Sequence, residues 1–195
     1  MNVDPHGTKP IVMTMQTTPQ LDPREPLVAD TRTLPRSPGS AMEWATQASF
    51  DEALGLELIG VPAGEPVHVD VNLTSVSEGV LVTGNVSTTV KGECGRCLTA
   101  INEPLTVEVS ELYAYPDSTT AETTDDEEVP RLQGDLLDLE PVVRDGLVFA
   151  MPSTPLCRAD CPGLCADCGE KWDDLPADHA HESLDPRWAE LKKLL

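Results

Sequence analysis

Hydrophobic and polar residues alternate along the middle of the chain, and this pattern predicts a β-sheet. Between residues 67 and 73, Val and Leu alternate with His, Asp and Asn, the period of two expected of a half-buried strand. A second β-rich run covers residues 80–94, and the alternation returns at 105–109. Because parallel strands need long crossovers and these turns are short, the runs predict an antiparallel meander or a small, partly closed barrel. Residues 50–64 fit either a short helix or a strand leading into the sheet.

A helical period follows the sheet. From Leu136 to Leu147, apolar residues recur at steps of three and four, which predicts one amphipathic helix packed on the sheet. Pro141 is tolerated in its first turn, and Pro152 ends it. A second, short helix is predicted at the C-terminus, where Asp185 is a suitable N-cap. The predicted fold class is therefore α+β.

Composition divides the chain into three parts. Residues 1–36 are rich in Pro and Thr without an apolar period, so we expect a disordered or extended arm, in which residues 26–30 fit a short strand or docking segment. Residues 37–152 form the predicted β-rich core, including an acidic loop that contains "DDEE" and the helix. Residues 153–195 hold a cysteine cluster and the C-terminal helix.

The six cysteines carry the strongest chemical signal. Two residues separate the members of each of two pairs, "CGRC" and "CADC", and this spacing lets both thiolates reach one tetrahedral ion at about 2.3 Å. Gly169, directly after the second pair, permits the left-handed turn that closes such a knuckle. Zinc takes four ligands, so two sets remain open. The local set is Cys157, Cys161, Cys165 and Cys168, and the ribbon set is Cys94, Cys97, Cys165 and Cys168.

Several alternatives accompany a structural Zn²⁺. The cost of loop closure rises only with the logarithm of loop length, so it favours the local set mildly. The spacing matches neither common ferredoxin run, which argues against an iron–sulfur cluster. A thiol–disulfide oxidoreductase using "CGRC" needs a helix after the motif, whereas a β-rich run precedes it here. His179 and His181 are interpreted as solvated loop residues.

The chain is strongly acidic, with 13 Lys and Arg against 34 Asp and Glu and a net charge of −21. Such a protein is repelled by nucleic-acid phosphates and attracted to basic proteins. No catalytic constellation stands out, so an enzyme is not predicted. There is also no apolar run suited to a signal peptide or a membrane span. We therefore expect a cytoplasmic protein in a reducing environment, where clustered cysteines bind metal.

Taken in order, the motifs resemble a known family. "GECGRCL", "ELYAYP", an acidic loop, "GDLLDLEPVVRDGLVFAMP" and "PLCRADCPGLCADCG" are similar to the YceD family, the large ribosomal RNA subunit accumulation proteins, in its actinobacterial form. The resemblance covers about residues 26–195. It implies a non-enzymatic ribosome biogenesis factor needed for 23S rRNA to accumulate and for the large subunit to assemble.

The resemblance and the charge together suggest partners. We expect the protein to bind a precursor of the large ribosomal subunit or a basic ribosomal protein, with contact to 23S rRNA indirect. Arg96, fixed between two cysteines, is a candidate for one local contact with RNA or a carboxylate. A zinc-ribbon adaptor in transcription is a further alternative, and the thiol–disulfide oxidoreductase is the alternative from a different class.

Overall fold

The computed structural model describes residues 20–119 and 129–181, and within them the chain is mostly antiparallel sheet. These residues contain eight strands and one α-helix, followed by a short 3₁₀ turn at Trp172–Asp174. In chain order the elements are β1 (Val28–Asp30), β2 (Ala41–Ala48), β3 (Leu54–Gly55), β4 (Ile59–Val61), β5 (Val67–Val76), β6 (Gly79–Glu93), β7 (Ala100–Ala114), β8 (Leu136–Asp138) and α1 (Glu140–Ala150).

The three predicted β runs form consecutive antiparallel strands, which confirms the meander. β5 pairs with β6, and β6 pairs with β7 along the full 15 residues of each. β2 extends the sheet beyond β5, while β4 and β3 continue it along the far end of β6. The sheet does not close into a barrel. Residues 50–64, which the sequence left open between helix and strand, contain the two short strands β3 and β4.

One face of the sheet is apolar because side chains in a strand alternate between its two faces. Val67, Val69, Val71 and Leu73 of β5 are buried, and the polar residues between them point outward. Helix α1 covers the buried face through Val143 and Leu147. A Cβ on Gly146 would lie 3.1 Å from Val109 Cγ1, so this glycine lets the helix pack closely on β7.

Helix α1 begins later than the apolar spacing predicts. Leu136 lies in β8 rather than in the helix, because β8 pairs with β1 in a two-stranded sheet of its own. The helix starts at Glu140, whose N–H donates to Asp138 Oδ1 at 3.0 Å. Pro141 lies in the first turn of the helix, as predicted, whereas the apolar spacing extends one turn too far back, to Leu136. Residues 136–138 fit a strand as well as a helix, and pairing with a distant strand decides between them.

Part of the predicted N-terminal arm contributes to this sheet. β1 lies within residues 26–30, the stretch that fits a short strand, and Leu27, Val28 and Ala29 are buried. Residues 1–19, the "DDEE" run and the predicted C-terminal helix lie outside the described residues. Within residues 20–119 and 129–181, no helix has the length and apolar character needed to cross a membrane.

Candidate metal centres

The first Cys-x-x-Cys pair forms the turn between β6 and β7. The N–H of Cys94 donates to the carbonyl of Thr99 at 2.8 Å, and the N–H of Leu98 donates to the carbonyl of Cys94 at 2.9 Å. Leu98 has a φ of 57°, the left-handed conformation that closes the turn. Cys94 and Cys97 are both buried. "CGRC" therefore lies in a β-hairpin turn and not at the start of a helix.

The loop that follows α1 is held against this turn by two hydrogen bonds. The N–H of Gly95 donates to the carbonyl of Pro155 at 2.8 Å. The Arg96 guanidinium donates to the carbonyl of Cys161 at 2.9 Å. These bonds bring Cys157 and Cys161 over the first pair, and the four cysteines form one compact group.

The sulfur atoms of this group are spaced as one tetrahedral ion requires. Cys94 Sγ lies 3.8 Å from Cys161 Sγ, and Cys97 Sγ lies 3.6 Å from Cys157 Sγ. All four sulfurs lie within 4.8 Å of one another. A regular tetrahedron with metal–sulfur bonds of about 2.3 Å has edges of about 3.8 Å. A cluster of several irons would hold its thiolates farther apart, so the geometry fits a single ion.

Charge within this group favours a cation. Backbone N–H groups, first that of Cys157, donate to the Cys94 thiol and lower its pKa to about 6. The Thr99 hydroxyl and N–H lower the pKa of Cys97. In contrast, the hydrogen bond with Cys97, followed by burial, raises the pKa of Cys157 to about 12, and burial raises the pKa of Cys161. Four adjacent thiols do not all ionise without a compensating charge, which a divalent ion supplies.

The second Cys-x-x-Cys pair repeats the turn of the first. The N–H of Cys165 donates to the carbonyl of Glu170 at 2.8 Å, and the N–H of Gly169 donates to the carbonyl of Cys165 at 2.9 Å. Gly169 takes the left-handed conformation, with a φ of 75°. The conformation that the sequence predicts for Gly169 is therefore confirmed.

Two histidines complete the second group. Cys165, Cys168, His179 and His181 place their ligand atoms within 4.8 Å of one another. Cys168 Sγ lies 3.6 Å from His179 Nε2. The two imidazole rings meet edge to face with centroids 4.4 Å apart. Both groups of four could therefore hold a metal ion.

The structure groups the cysteines differently from either predicted set. The local set, Cys157, Cys161, Cys165 and Cys168, is divided between the two groups, two cysteines in each. The ribbon set, Cys94, Cys97, Cys165 and Cys168, is divided in the same way. As ligand sets both stay predictions. Arg96, the predicted binding residue, lies with its guanidinium on the Cys161 carbonyl, and its contact with RNA or a carboxylate also stays a prediction.

From the sequence, His179 and His181 are interpreted as solvated loop residues, whereas the structure places both beside Cys165 and Cys168. The signal was present in the spacing: His179 and His181 follow the second Cys-x-x-Cys pair by little more than ten residues, similar to mixed Cys₂His₂ zinc sites. The six cysteines already exceed the four ligands that one zinc ion takes, so the sequence alone gives no reason to add the histidines.

Comparison with known proteins agrees with the motifs. The family model of the large ribosomal RNA subunit accumulation protein YceD matches residues 82–195. This match covers more than half of the chain and includes both cysteine groups. The chain belongs to the YceD family. The family's name implies a role in accumulation of the large-subunit ribosomal RNA.

Similar proteins occur in mycobacteria and in Bacillus. The chain is 43% identical over 170 residues to an uncharacterized protein of Mycobacterium tuberculosis strain H37Rv, which covers 87% of this chain and 82% of the relative. An uncharacterized protein of Mycobacterium leprae is 39% identical over 87% of this chain and 78% of its own. Uncharacterized protein YlbN of Bacillus subtilis is 26% identical over 55% of this chain and 63% of its own. No solved structure matches the chain.

Proposed function

We propose that this protein is a non-enzymatic, cytoplasmic ribosome biogenesis factor. It supports accumulation of 23S rRNA by binding a basic ribosomal protein, alone or on a precursor of the large subunit. Membership of the YceD family supports the ribosomal role. The excess of acidic residues supports a basic protein, rather than RNA phosphates, as the direct contact.

The placement of the cationic side chains is the observation that carries this choice of partner. Within residues 20–119 and 129–181, most Lys and Arg side chains already bind acceptors of the protein itself. Each of these acceptors competes with a phosphate for the cation, and neutralising phosphates is the main source of affinity for nucleic acid. The pairs are Arg32 with Asp30, Arg36 with Asp117 and Asp135, Lys91 with Glu65, Arg144 with Glu140, Arg158 with Asp160 and Asp173, Arg96 with the Cys161 carbonyl, Arg131 with the Tyr115 carbonyl, and Lys171 with Thr99.

A groove between β1, the end of β2 and the start of α1 suits a basic side chain. Its rim carries the exposed carboxylates of Glu25, Asp51 and Glu52. In its wall, Arg144 pairs with Glu140 and lies 4.3 Å over the Phe50 ring, so this wall already holds one cation of the protein itself. Lys and Arg bury an apolar stem and keep a charged head in a polar environment. The three rim carboxylates attract such a head group, and we propose that this groove contacts the basic partner.

A structural zinc ion at Cys94, Cys97, Cys157 and Cys161 belongs to this proposal. The four sulfurs have the spacing of one tetrahedral ion. Such an ion joins the β6–β7 turn to the loop after α1, both of which lie within the family-matched region. The role of this ion is structural, because four thiolates leave no open coordination position for a substrate.

Co-purification at increasing salt tests the partner. The full chain is used to capture proteins and RNA from a lysate with and without ribonuclease, and the bound basic ribosomal proteins are identified by mass spectrometry. We expect a basic large-subunit protein that remains after ribonuclease treatment and is released as salt rises, because screening weakens contacts between exposed charges. Binding of naked rRNA without any protein bridge would contradict the proposal.

A matched pair of variants tests the groove. Glu25→Gln, Asp51→Asn and Glu52→Gln together remove three charges from its rim. Glu43→Gln, Asp70→Asn and Glu108→Gln remove three charges from the exposed face of the sheet. We expect the first triple variant to weaken capture of the basic protein about tenfold or more and the second to weaken it much less. Equal losses would show that net charge acts without a defined groove.

A further inference from the structure

We propose that Cys165, Cys168, His179 and His181 bind a second divalent metal ion independently of the first site. The ion is of the zinc class, and it fastens residues 163–181 into a small module at the edge of the sheet. This inference does not rest on the proposed ribosomal role.

The donor geometry fits one tetrahedral ion. With a metal–sulfur bond of about 2.3 Å and a metal–nitrogen bond of about 2.05 Å, a tetrahedral site places sulfur and nitrogen about 3.5 Å apart. Cys168 Sγ and His179 Nε2 are 3.6 Å apart. A site with two thiolates and two imidazoles selects zinc over hard cations such as Mg²⁺ and Ca²⁺. Backbone N–H groups of Cys168 and Asp167 donate to the Cys165 sulfur, as expected in a zinc knuckle.

The segment that carries this group closes on itself. Leu164 and Lys171 form an antiparallel bridge, and the N–H of Trp172 donates to the carbonyl of Gly163 at 3.0 Å. All four donor residues lie within residues 165–181, and none comes from the sheet. Loading the second site therefore requires no ligand that the first site uses, which is why we infer that the two ions bind independently.

The two groups differ in access to solvent. In the first group, three of the four cysteines are buried. In the second, Cys168 and His181 are exposed and His179 is half-buried. A chelator reaches exposed ligands directly, whereas it reaches the first group only when the loop after α1 opens. We therefore expect the second ion to leave first.

Metal counting with a matched control tests the proposal. The full chain is purified without added zinc and analysed by elemental mass spectrometry and thiol titration. We expect two ions per wild-type chain, one in the double variant His179→Ala with His181→Ala, and two in the control His68→Ala, which removes an exposed histidine of β5. Loss of an ion in the control, retention of two ions in the double variant, or a single ion in the wild type would overturn the proposal.

Cobalt substitution identifies the donors. Co²⁺ bound by four thiolates and Co²⁺ bound by two thiolates and two imidazoles have different visible and charge-transfer absorption. We expect the wild-type spectrum to be the sum of both types and the double variant to retain the four-thiolate type alone. The far-UV circular dichroism, which reports the sheet backbone, should be unchanged in the double variant, whereas the near-UV signal of Trp172, whose ring lies 5.6 Å from that of His179, is not used as a control. A double variant that loses its fold together with both ions would overturn the independence of the sites.

Discussion

Residues 94–99 and residues 165–170 fold into turns with equivalent backbone hydrogen bonds and a left-handed residue at the equivalent position, Leu98 in the first and Gly169 in the second. Their surroundings differ. The first turn ends two strands of 15 residues and receives Cys157 and Cys161 from a distant loop. The second lies in a hairpin with one β-bridge and receives two histidines from its own segment. Its ligands are also more exposed.

The Cys-x-x-Cys turn therefore fixes the positions of two thiols, whereas the surrounding fold decides which other ligands join them. At the first site, an ion would close a loop of about sixty residues between Cys97 and Cys157 and so stabilise the whole fold. At the second, an ion would close a short loop and stabilise that segment alone.

The largest effect is expected from a thiol at the first site. Cys94→Ser should abolish binding at this site and lower the free energy of unfolding by on the order of 5 kcal/mol. Cys168→Ser, the matched change at the second site, should lower the free energy of global unfolding by less than about 1 kcal/mol, because no sheet contact depends on it. Denaturant unfolding of both variants gives the comparison. Similar losses would show that the second ion also stabilises the sheet.

A smaller effect is expected from Arg96, which holds the loop after α1 by its hydrogen bond with the Cys161 carbonyl. Arg96→Ala should weaken metal binding at the first site about fivefold, equivalent to about 1 kcal/mol for a charge-assisted hydrogen bond at an exposed position. Competition with a chromophoric chelator measures this affinity. An unchanged affinity together with reduced rRNA binding would instead support the contact with RNA predicted from the sequence.

Exchanging the residues with positive φ should change the metal affinities of the two sites in opposite directions. Leu98 has a positive φ, which is unfavourable for a residue with a Cβ, and its side chain is 58% exposed, so it packs little. Leu98→Gly should therefore stabilise the first turn by about 1 kcal/mol. Gly169→Leu should weaken the second turn by a similar amount, since no atom lies near enough to a new Cβ to stabilise it. Chelator competition on both variants measures the change. Shifts of the same sign would mean that the turns are not equivalent.

The smallest effect concerns a direct link between the sites. Lys171 Nζ donates to Thr99 Oγ1 at 2.8 Å and so joins the second hairpin to the first turn. If the sites are independent, Lys171→Met should change metal affinity at either site by less than about twofold, because a half-exposed hydrogen bond contributes little. A large loss at both sites, measured by the same competition, would contradict independence.

The sequence predicts the local features well because each depends on neighbouring residues. The alternation in β5 and the consecutive short turns determine the meander. The apolar spacing predicts α1 but extends back to Leu136, whereas Leu136–Asp138 form β8 and pair with a strand about a hundred residues earlier. No pattern of neighbouring residues indicates that β1 and β8 pair. The sequence predictions do not include strand β2. In this strand, Met42, Trp44 and Thr46 alternate with more exposed residues, which is a strand pattern.

Residue spacing alone predicts two Cys-x-x-Cys turns, the closure of one of them by Gly169, and more ligands than one zinc ion uses. Which cysteine pairs and histidines come together depends on the folded chain. Loop-closure entropy changes slowly with loop length and so barely distinguishes the possible pairings. The distinction comes from contacts between residues far apart in sequence, such as that of Gly95 with Pro155, which place Cys157 and Cys161 over the first turn and leave the second turn to the histidines.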